Sequence, residues 1–555
     1  MHSARTLAPG RAVACAAMSK PNVLVIMTDE ERYPTPYETP AVTRFRRDHL
    51  PARDRIRDGG LELHRHYVGA TACVPSRATM FTGQYPSLHH VSQTDGIAKG
   101  PDDPSMHWLD PRRVPTLGHW FRAAGYDTHY RGKWHISHAD LPSADGFGLA
   151  TCDDDGVLDR DAIAAYRSAD RLDPFGFSGW IGREPHGAAK NNCGTVRDPL
   201  YAEEVADVFA ELAKASKAGP WLAVASFVNP HDIAFAGGIY ELLLGYELDP
   251  AVPEIPAAPS QADSFAGRPA CQEQFTQLWP QMVAHQPPDG AYRRLYYHLL
   301  RLVDQAIGRI LDALEASGMA DDTIVVFTSD HGDLLGAHGG MQQKWANAYD
   351  EALRVPMVVK GPGIAASVDG IEIPTSHVDL IPTLLGLVGA DVEAAAAALG
   401  ANHTEVRPLP GRDLSDVLTG TTAPAGVSAP VYFMTEDDVT RGVKQRNLLT
   451  GEPFDAIDAL TCIESVVAPL PTGPDGAPEL WKLNHYHEGL RAWHADRGAT
   501  SPNDRGLDAD PEWELHNLTA DPEERTNLEA SATDAKRSMQ AILESERDTK
   551  RLLPS

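Results

Sequence analysis

Two short runs of this chain are apolar from end to end and then stop in charged residues. Asn22-Val23-Leu24-Val25-Ile26-Met27 leads into Thr28-Asp29-Glu30, and Thr323-Ile324-Val325-Val326-Phe327 leads into Thr328-Ser329-Asp330-His331-Gly332. A strand with one face in water needs a polar residue at every second position. Neither run has them, so both predict strands buried on both faces, the habit of a mainly parallel sheet with helices on each side. Tyr126–Tyr130, Trp221–Phe227 and Val355–Val359 are also expected to be strands. Helices are expected at Leu117–Ala124, closed by Gly125, and at Tyr292–Ser317, where Leu295, Leu299, Leu302, Ala306 and Ile310 share a face and Gly318 ends the run. The expected fold class is α/β: a large mixed, mainly parallel sheet sandwiched by helices.

A chain of 555 residues exceeds one ordinary core, and its character changes after about residue 424. Val431–Met434, Leu480–Leu483 and Trp513–Leu515 look like short strands of a smaller sheet, and a last helix is expected over Ala532–Arg551. The implied organisation is an N-terminal extension (1–20) that is disordered or non-native, a catalytic domain (21–424) and a C-terminal α+β subdomain (425–555) with a small antiparallel sheet and a terminal helix. Segments 138–200 and 233–290 show no clear periodicity and are expected to be long loops around a site. The alanine run Ala394–Ala398 reads as plain helix.

Ligands in α/β sheets gather at the carboxyl ends of strands. Asp29 and Glu30 could therefore meet Asp330 and His331, and carboxylates with an imidazole suit a divalent cation. Taken singly, either pair could equally cap a helix. Four other segments carry reactive side chains. Cys73 lies in Thr71-Ala72-Cys73-Val74-Pro75-Ser76-Arg77-Ala78-Thr79, and Lys133 and His135 lie in Gly132-Lys133-Trp134-His135. His231 lies in Asn229-Pro230-His231-Asp232, and Lys344 precedes Tyr349-Asp350-Glu351 and Arg354-Val355-Pro356. A lone cysteine is more often a core residue, and a lone lysine or histidine more often a surface one.

Cys73-x-Pro75-Ser76-Arg77, followed by Thr82-Gly83, resembles the signature of the type I, formylglycine-dependent sulfatases, arylsulfatase-like members of the alkaline phosphatase superfamily. The remaining segments follow in that family's order. Val378–Leu385, Gly411–Leu414 and Trp513-Glu514-Leu515 through Asp521-Pro522-Glu523 to Asn527-Leu528 resemble its scaffold motifs, so the likeness runs from residue 21 to about 530. The resemblance implies an alkaline-phosphatase-like fold and hydrolysis of a sulfate ester to an alcohol and sulfate. It implies that a formylglycine-generating enzyme converts Cys73 to an aldehyde, whose hydrate attacks sulfur with one hydroxyl and expels sulfate with the other. A serine or a plain thiol lacks that second hydroxyl. Asp29, Glu30, Asp330, His331 and the group derived from Cys73 would hold one divalent metal, Ca²⁺ first, with Mg²⁺ or Mn²⁺ as alternatives. Arg77 would sit by the metal carboxylates, Lys133 and Lys344 would hold the sulfate, His135 would deprotonate the nucleophile and His231 would protonate the leaving alcohol.

Two positions depart from a single branch. Glu30 replaces the second Asp of arylsulfatases, whereas His331 is shared with phosphonate monoester hydrolases and choline sulfatases. A phosphonate monoester or phosphodiester hydrolase on the same scaffold is therefore the alternative, and an anion-binding protein with an unmatured Cys73 is a third reading.

A formal net charge of −28 argues against nucleic acid or an anionic membrane as partner. It leaves room for a small sulfated aryl, alkyl or sugar substrate, because surface charge is screened over about 8 Å. The cysteines at 15, 73, 152, 193, 271 and 462 form no disulfide framework. No run approaches the ~20 apolar residues of a membrane span, and Arg11 interrupts the sole candidate leader, so a cytoplasmic location is expected. In the long loops, Phe175, Phe177, Trp180 and Trp279 could stack on an aryl or sugar group or equally serve as packing anchors, and Ser137 and His138 could touch substrate.

Overall fold

The computed structural model describes residues 20–143, 148–185, 189–215, 219–236, 247–283, 286–447, 450–488, 507 and 509–555. Its centre is a sheet of seven strands: β1 (Asn22–Asp29), β2 (Gly60–Tyr67), β3 (Asp127–Gly132), β4 (Trp221–Pro230), β5 (Thr323–Ser329), β6 (Met357–Lys360) and β7 (Ser367–Ser376). They lie in the order β3-β4-β1-β5-β6-β2-β7. β3, β4, β1 and β5 are parallel neighbours, β6 runs antiparallel to β5 and β2, and β2 is parallel to β7. The sheet is mixed and mainly parallel, with helices on both faces.

The unbroken apolar stretch of β1 follows from that sandwich. Leu24 and Ile26 point to one face, among Tyr201, Val205 and Phe209 of the helix Gly194–Lys214 and Val303, Ile307 and Ile310 of the helix Gly290–Ala316. Val23, Val25 and Met27 point to the other, among Val74, Ala78 and Phe81 of the helix Cys73–Thr82 and Leu380 and Ile381 of the helix Leu380–Leu387. A strand alternates faces at every residue, so two buried faces demand apolar residues throughout.

The register sets where the strands end. Thr28 pairs with Ser329, Asp29 with Pro230 and Gly132 with Ser226, so the four parallel strands finish along one edge. Lys133, His231, Asp29, Glu30, Asp330 and His331 are the residues that this edge carries.

A second, antiparallel sheet of order β11-β10-β9-β8 is built from β8 (Val431–Thr435), β9 (Cys462–Leu470), β10 (Glu479–His487) and β11 (Glu512–Asn517). The helix Thr533–Lys550 covers one face with Ala535, Met539 and Leu543. The other face is not a separate core: Val431, Phe433, Ile463 and Tyr486 share a cluster with Tyr67, Ala72, Trp345 and Tyr349. β8 is also tied by hydrogen bonds to the stretch before Cys73, from Met434 N to Gly69 O and from Thr435 Oγ1 to Thr71 O.

The structure corrects several expectations. Segments 138–200 and 233–290 hold the helices Arg160–Ala169 and Ala270–Met282 and the start of Gly194–Lys214, and so are not loops throughout. β2, β7 and β9 escape the apolar-run criterion because β2 is rich in His and Arg, β7 is an edge strand with an exposed start and β9 contains Pro469. Among the described residues no single helix is long and apolar enough to cross a membrane.

Candidate active site

Cys73 opens a buried helix that Gly83 closes in the left-handed conformation, φ 64°. Arg77 stands one turn further on the same face. Its Nε donates to Asp330 Oδ2 (2.7 Å) and its Nη2 to Asp29 Oδ2 (2.8 Å), while its Nη1 reaches Lys133 O and Ser226 Oγ. One guanidinium thus joins the ends of β1, β5, β3 and β4. Lys133 Nζ lies 2.6 Å from the same Asp29 Oδ2. Gly132 makes that turn possible, since a Cβ there would fall 1.8 Å from Ser226 O.

With the Oδ2 atoms taken by cations, the Oδ1 atoms face the middle. Asp29 Oδ1 and Asp330 Oδ1 lie 3.8 and 3.7 Å from His331 Nε2, and Cys73 Sγ lies 3.1 Å from that nitrogen and 3.8 Å from Asp29 Oδ1. His331 Nδ1 is 3.0 Å from Gly332 O, which can only accept, so Nδ1 carries the proton and Nε2 presents its lone pair inward. Metal-ligating histidines are held in this way. The ligand atoms of Asp29, Cys73, Asp330 and His331 all lie within 4.8 Å of one another in a fully buried setting. Two inward carboxylate oxygens, an imidazole lone pair and a sulfur form a donor set that fits a divalent cation.

Glu30 sits on the far side of this centre. Its backbone is left-handed, φ 71°, an uncommon state that costs about 1–2 kcal/mol outside glycine. Its N–H donates to Asp330 Oδ1 and its carbonyl accepts from the Tyr296 hydroxyl. Oε2 takes Lys344 Nζ at 2.9 Å and lies 3.9 Å from His231 Nε2, while Oε1 is buried with no hydrogen-bond partner. Asp29, Glu30 and His231 form a second close set around the same centre. Lys344 also rests over the Trp345 ring, 4.6 Å from its centroid.

The charges respond to burial first and to their neighbours second. Burial opposes charge on Asp29, yet Lys133 and Arg77 together hold its carboxyl well below the usual range. Burial carries Glu30 well above its usual value; Lys344 pulls it back and Asp333 pushes it further up. Burial and then Asp29 raise the Cys73 thiol, so it stays protonated and is no thiolate nucleophile. Burial and Lys133 hold His231 well below the ordinary histidine range.

Nine of the ten expected site residues are thus joined by direct contacts: Asp29, Glu30, Cys73, Arg77, Lys133, His231, Asp330, His331 and Lys344. His135, two residues past Lys133, is left-handed at φ 59° and places Nε2 2.8 Å from Asp95 Oδ1. Sequence reasoning missed Asp95, and also Glu184, whose buried carboxylate accepts from the N–H groups of Trp134 and His135. Neither acid falls at a strand end or in a spaced motif.

For the aromatic residues the structure takes the packing alternative. Phe175, Phe177 and Trp180 lie in the main core, with Phe175 and Phe177 packed against Trp134, and Trp279 stacks among Phe275 and Trp345. Ser137 accepts the Trp134 indole N–H and His138 packs on Trp108. The rings of Phe175, Phe177, Trp180 and Trp279 are buried in packing clusters, where each covers a large apolar area.

Residues 21–390 match the family model described as Sulfatase. The chain belongs to the sulfatase family. It is 29% identical over 388 residues to the choline-sulfatase of Rhizobium meliloti (strain 1021), spanning 67% of this chain and 69% of that one. The fold is like that of BT1596, a 2-O GAG sulfatase, with a TM-score of 0.63 and 20% identity over 96% of this chain and 93% of that one. It is also like the phosphonate monoester hydrolase of Agrobacterium radiobacter, with a TM-score of 0.56 and 22% identity over 96% of each chain. At these identities the two structures speak for the fold alone. As a member of the sulfatase family the protein is a sulfuric ester hydrolase, and the family implies in general a metal and a formylglycine.

Proposed function

We propose that this sulfatase hydrolyses a small sulfate ester at the centre around Cys73, after a formylglycine-generating enzyme has converted that cysteine to formylglycine. The observation that carries the reading is the convergence of Cys73 Sγ, two inward carboxylate oxygens and His331 Nε2 beneath Lys133, Lys344 and His231. The formylglycine hydrate would supply an oxygen nucleophile, and the protonated, buried thiol of unmodified Cys73 is a poor substitute. Asp29, Asp330 and His331 would hold a divalent cation, with a Glu30 carboxylate oxygen as a further ligand. Oxygen-rich donors favour Ca²⁺, with Mg²⁺ or Mn²⁺ next. Bound there, the metal would act as a Lewis acid on the sulfate and lower the charge of the site.

The remaining residues bind and move protons. Lys133 and Lys344 keep their charge next to Asp29 and Glu30, and form a cationic clamp on either side of the centre for the non-bridging sulfate oxygens. His231, with 17% of its side chain exposed, reaches closest to solvent, where a leaving alcohol departs. It rests neutral beside Lys133; an arriving sulfate anion favours its protonated form, which then serves as general acid. His135, hydrogen-bonded to Asp95, would serve as the base.

The test joins two measurements. Peptide mass analysis of the Cys73 segment after co-expression with the maturation enzyme should show the aldehyde, and aryl sulfate should then be turned over faster than aryl phosphonate or phosphodiester. An unmodified thiol, or a strong preference for the phosphorus esters, would sink the reading.

A further inference from the structure

Asp437 belongs to the second sheet's side of the molecule, two residues past the end of β8, and none of the motif segments includes it. Its side chain is 1% exposed and makes contacts with three separate parts of the candidate active site. Oδ2 accepts from the Trp345 indole N–H at 2.9 Å and from the N–H of Ala72 at 3.3 Å. Oδ1 accepts from the N–H of Thr94 at 3.0 Å and lies 3.8 Å from Lys99 Nζ. Ala72 precedes Cys73. Thr94 precedes Asp95, which holds His135. Trp345 follows Lys344 and carries its ammonium on the indole face, with Glu30 on that ammonium's other side.

The geometry points to Asp437 as a positioning residue of the sulfatase reaction: one carboxylate sets the nucleophile's segment, the Lys344 clamp and the loop that orients His135. The assignment rests on the roles proposed above for Cys73, Lys344 and His135. Three donors aimed at one carboxylate have no equivalent partner in a neutral side chain; two of the bonds act on residues next to Cys73 and Lys344 and the third on the neighbour of Asp95, which holds His135, where small displacements cost most in rate. The surrounding contacts make the carboxylate a fixed point. Thr435 Oγ1 donates to Thr71 O and accepts from the Asp437 N–H, Gln93 Nε2 donates to Glu436 O, and Lys99 Nζ donates to Asp438 O. The second sheet thereby takes part in the active-site geometry, though it supplies none of the reacting groups named above.

The experiment compares wild type, Asp437→Asn, Trp345→Phe and the double variant, each co-expressed with the maturation enzyme, with formylglycine content at position 73 measured first. Asp437→Asn keeps the volume but points an amide N–H₂ at donors; Trp345→Phe keeps the ring under Lys344 and removes only the indole N–H. At equal formylglycine content, kcat should fall roughly 10–100-fold in Asp437→Asn and roughly 5-fold in Trp345→Phe, with KM moving less than about 3-fold, as expected when positioning rather than binding is lost. The double variant should be little slower than Asp437→Asn, because the two changes remove one shared bond. Equal formylglycine with kcat within twofold of wild type, or a loss that only tracks the folded fraction, overturns the assignment. If Asp437→Asn does not fold, Trp345→Phe decides alone: a fivefold loss supports the assignment and a loss under twofold overturns it. A wild-type chain that keeps its Cys73 thiol and hydrolyses no sulfate ester overturns the underlying reading and the assignment with it, a result distinct from failure of the variants alone.

Discussion

Among the described residues two places gather metal-ligand side chains, and they differ in who holds the carboxylate. At the ends of the parallel strands, Arg77 and Lys133 grip the outer oxygens of Asp29 and Asp330 and leave the inner ones facing His331 and Cys73. On the second sheet, Glu464, His485 and His487 also lie within 4.8 Å of one another. There Arg547 reaches both Glu464 oxygens, Arg551 adds a bond to Oε1, and the Tyr432 hydroxyl donates to the same atom. The first set keeps one oxygen of each carboxylate, an imidazole lone pair and a sulfur directed at a shared point; in the second, both carboxylate oxygens are already taken by guanidinium and hydroxyl donors. Close ligand atoms do not make a cation site. What decides is which ligand atoms still face inward once the neighbouring donors have been counted.

The strongest way to break this contrast is at the nucleophile. Cys73→Ala should abolish sulfate ester hydrolysis, a loss of roughly 10⁴-fold or more, while leaving the melting temperature near wild type. Residual turnover within tenfold would contradict the assignment of the site. Next comes metal content by elemental analysis. About one divalent ion per chain is expected, lost in Asp330→Ala and by chelation, yet kept in Glu464→Gln. Loss of the ion in Glu464→Gln would reverse the comparison. His231→Ala should then slow turnover of poor leaving groups by roughly 10²–10⁴-fold, and activated aryl sulfates much less; equal losses for both would remove the general-acid role.

On the second sheet the effects are on stability, not rate. Arg547→Ala removes the main partner of a buried carboxylate that keeps Arg551 and Tyr432, and should cost roughly 1–3 kcal/mol in denaturant unfolding, with kcat unchanged. The smallest effect concerns pH. Burial holds His487 down at about 4 even though Glu464 lies nearby. The folded state therefore binds fewer protons than the unfolded chain below about pH 6.5, and stability present above that pH declines as the solution is acidified towards 4. Between pH 6.5 and 5 the decline from this group is about 1–2 kcal/mol, and His487→Gln should flatten that part of the stability curve. An unchanged slope would mean that His487 titrates normally in the folded protein.

Much of the first region was legible in the residues themselves. The apolar runs β1, β4 and β5 announce a doubly buried sheet, and Asp29 and Asp330 directly after two of them announce a shared edge. Cys73 and Arg77, four apart, could be placed on one helical face, and their tie to both carboxylates follows once the strands are parallel. Asp95, Glu184 and Asp437 were not legible, because their partners come from loops distant in sequence, and a buried acid in a loop looks like any solvated one. The aromatic residues left two readings open for the converse reason: Phe177 and Trp180 stand in irregular segments but are fully buried.

Local chemistry therefore determined the strand cores, the helix carrying Cys73 and the kinds of side chain that could react. Those depend on alternation, helical spacing and the strand end, all of them short-range. Tertiary structure alone decided which oxygen of each carboxylate faces the centre, that Glu30 turns to Lys344, and that the second sheet reaches the site through Asp437. These are matters of register between strands and of contacts over hundreds of residues, and no local pattern encodes them.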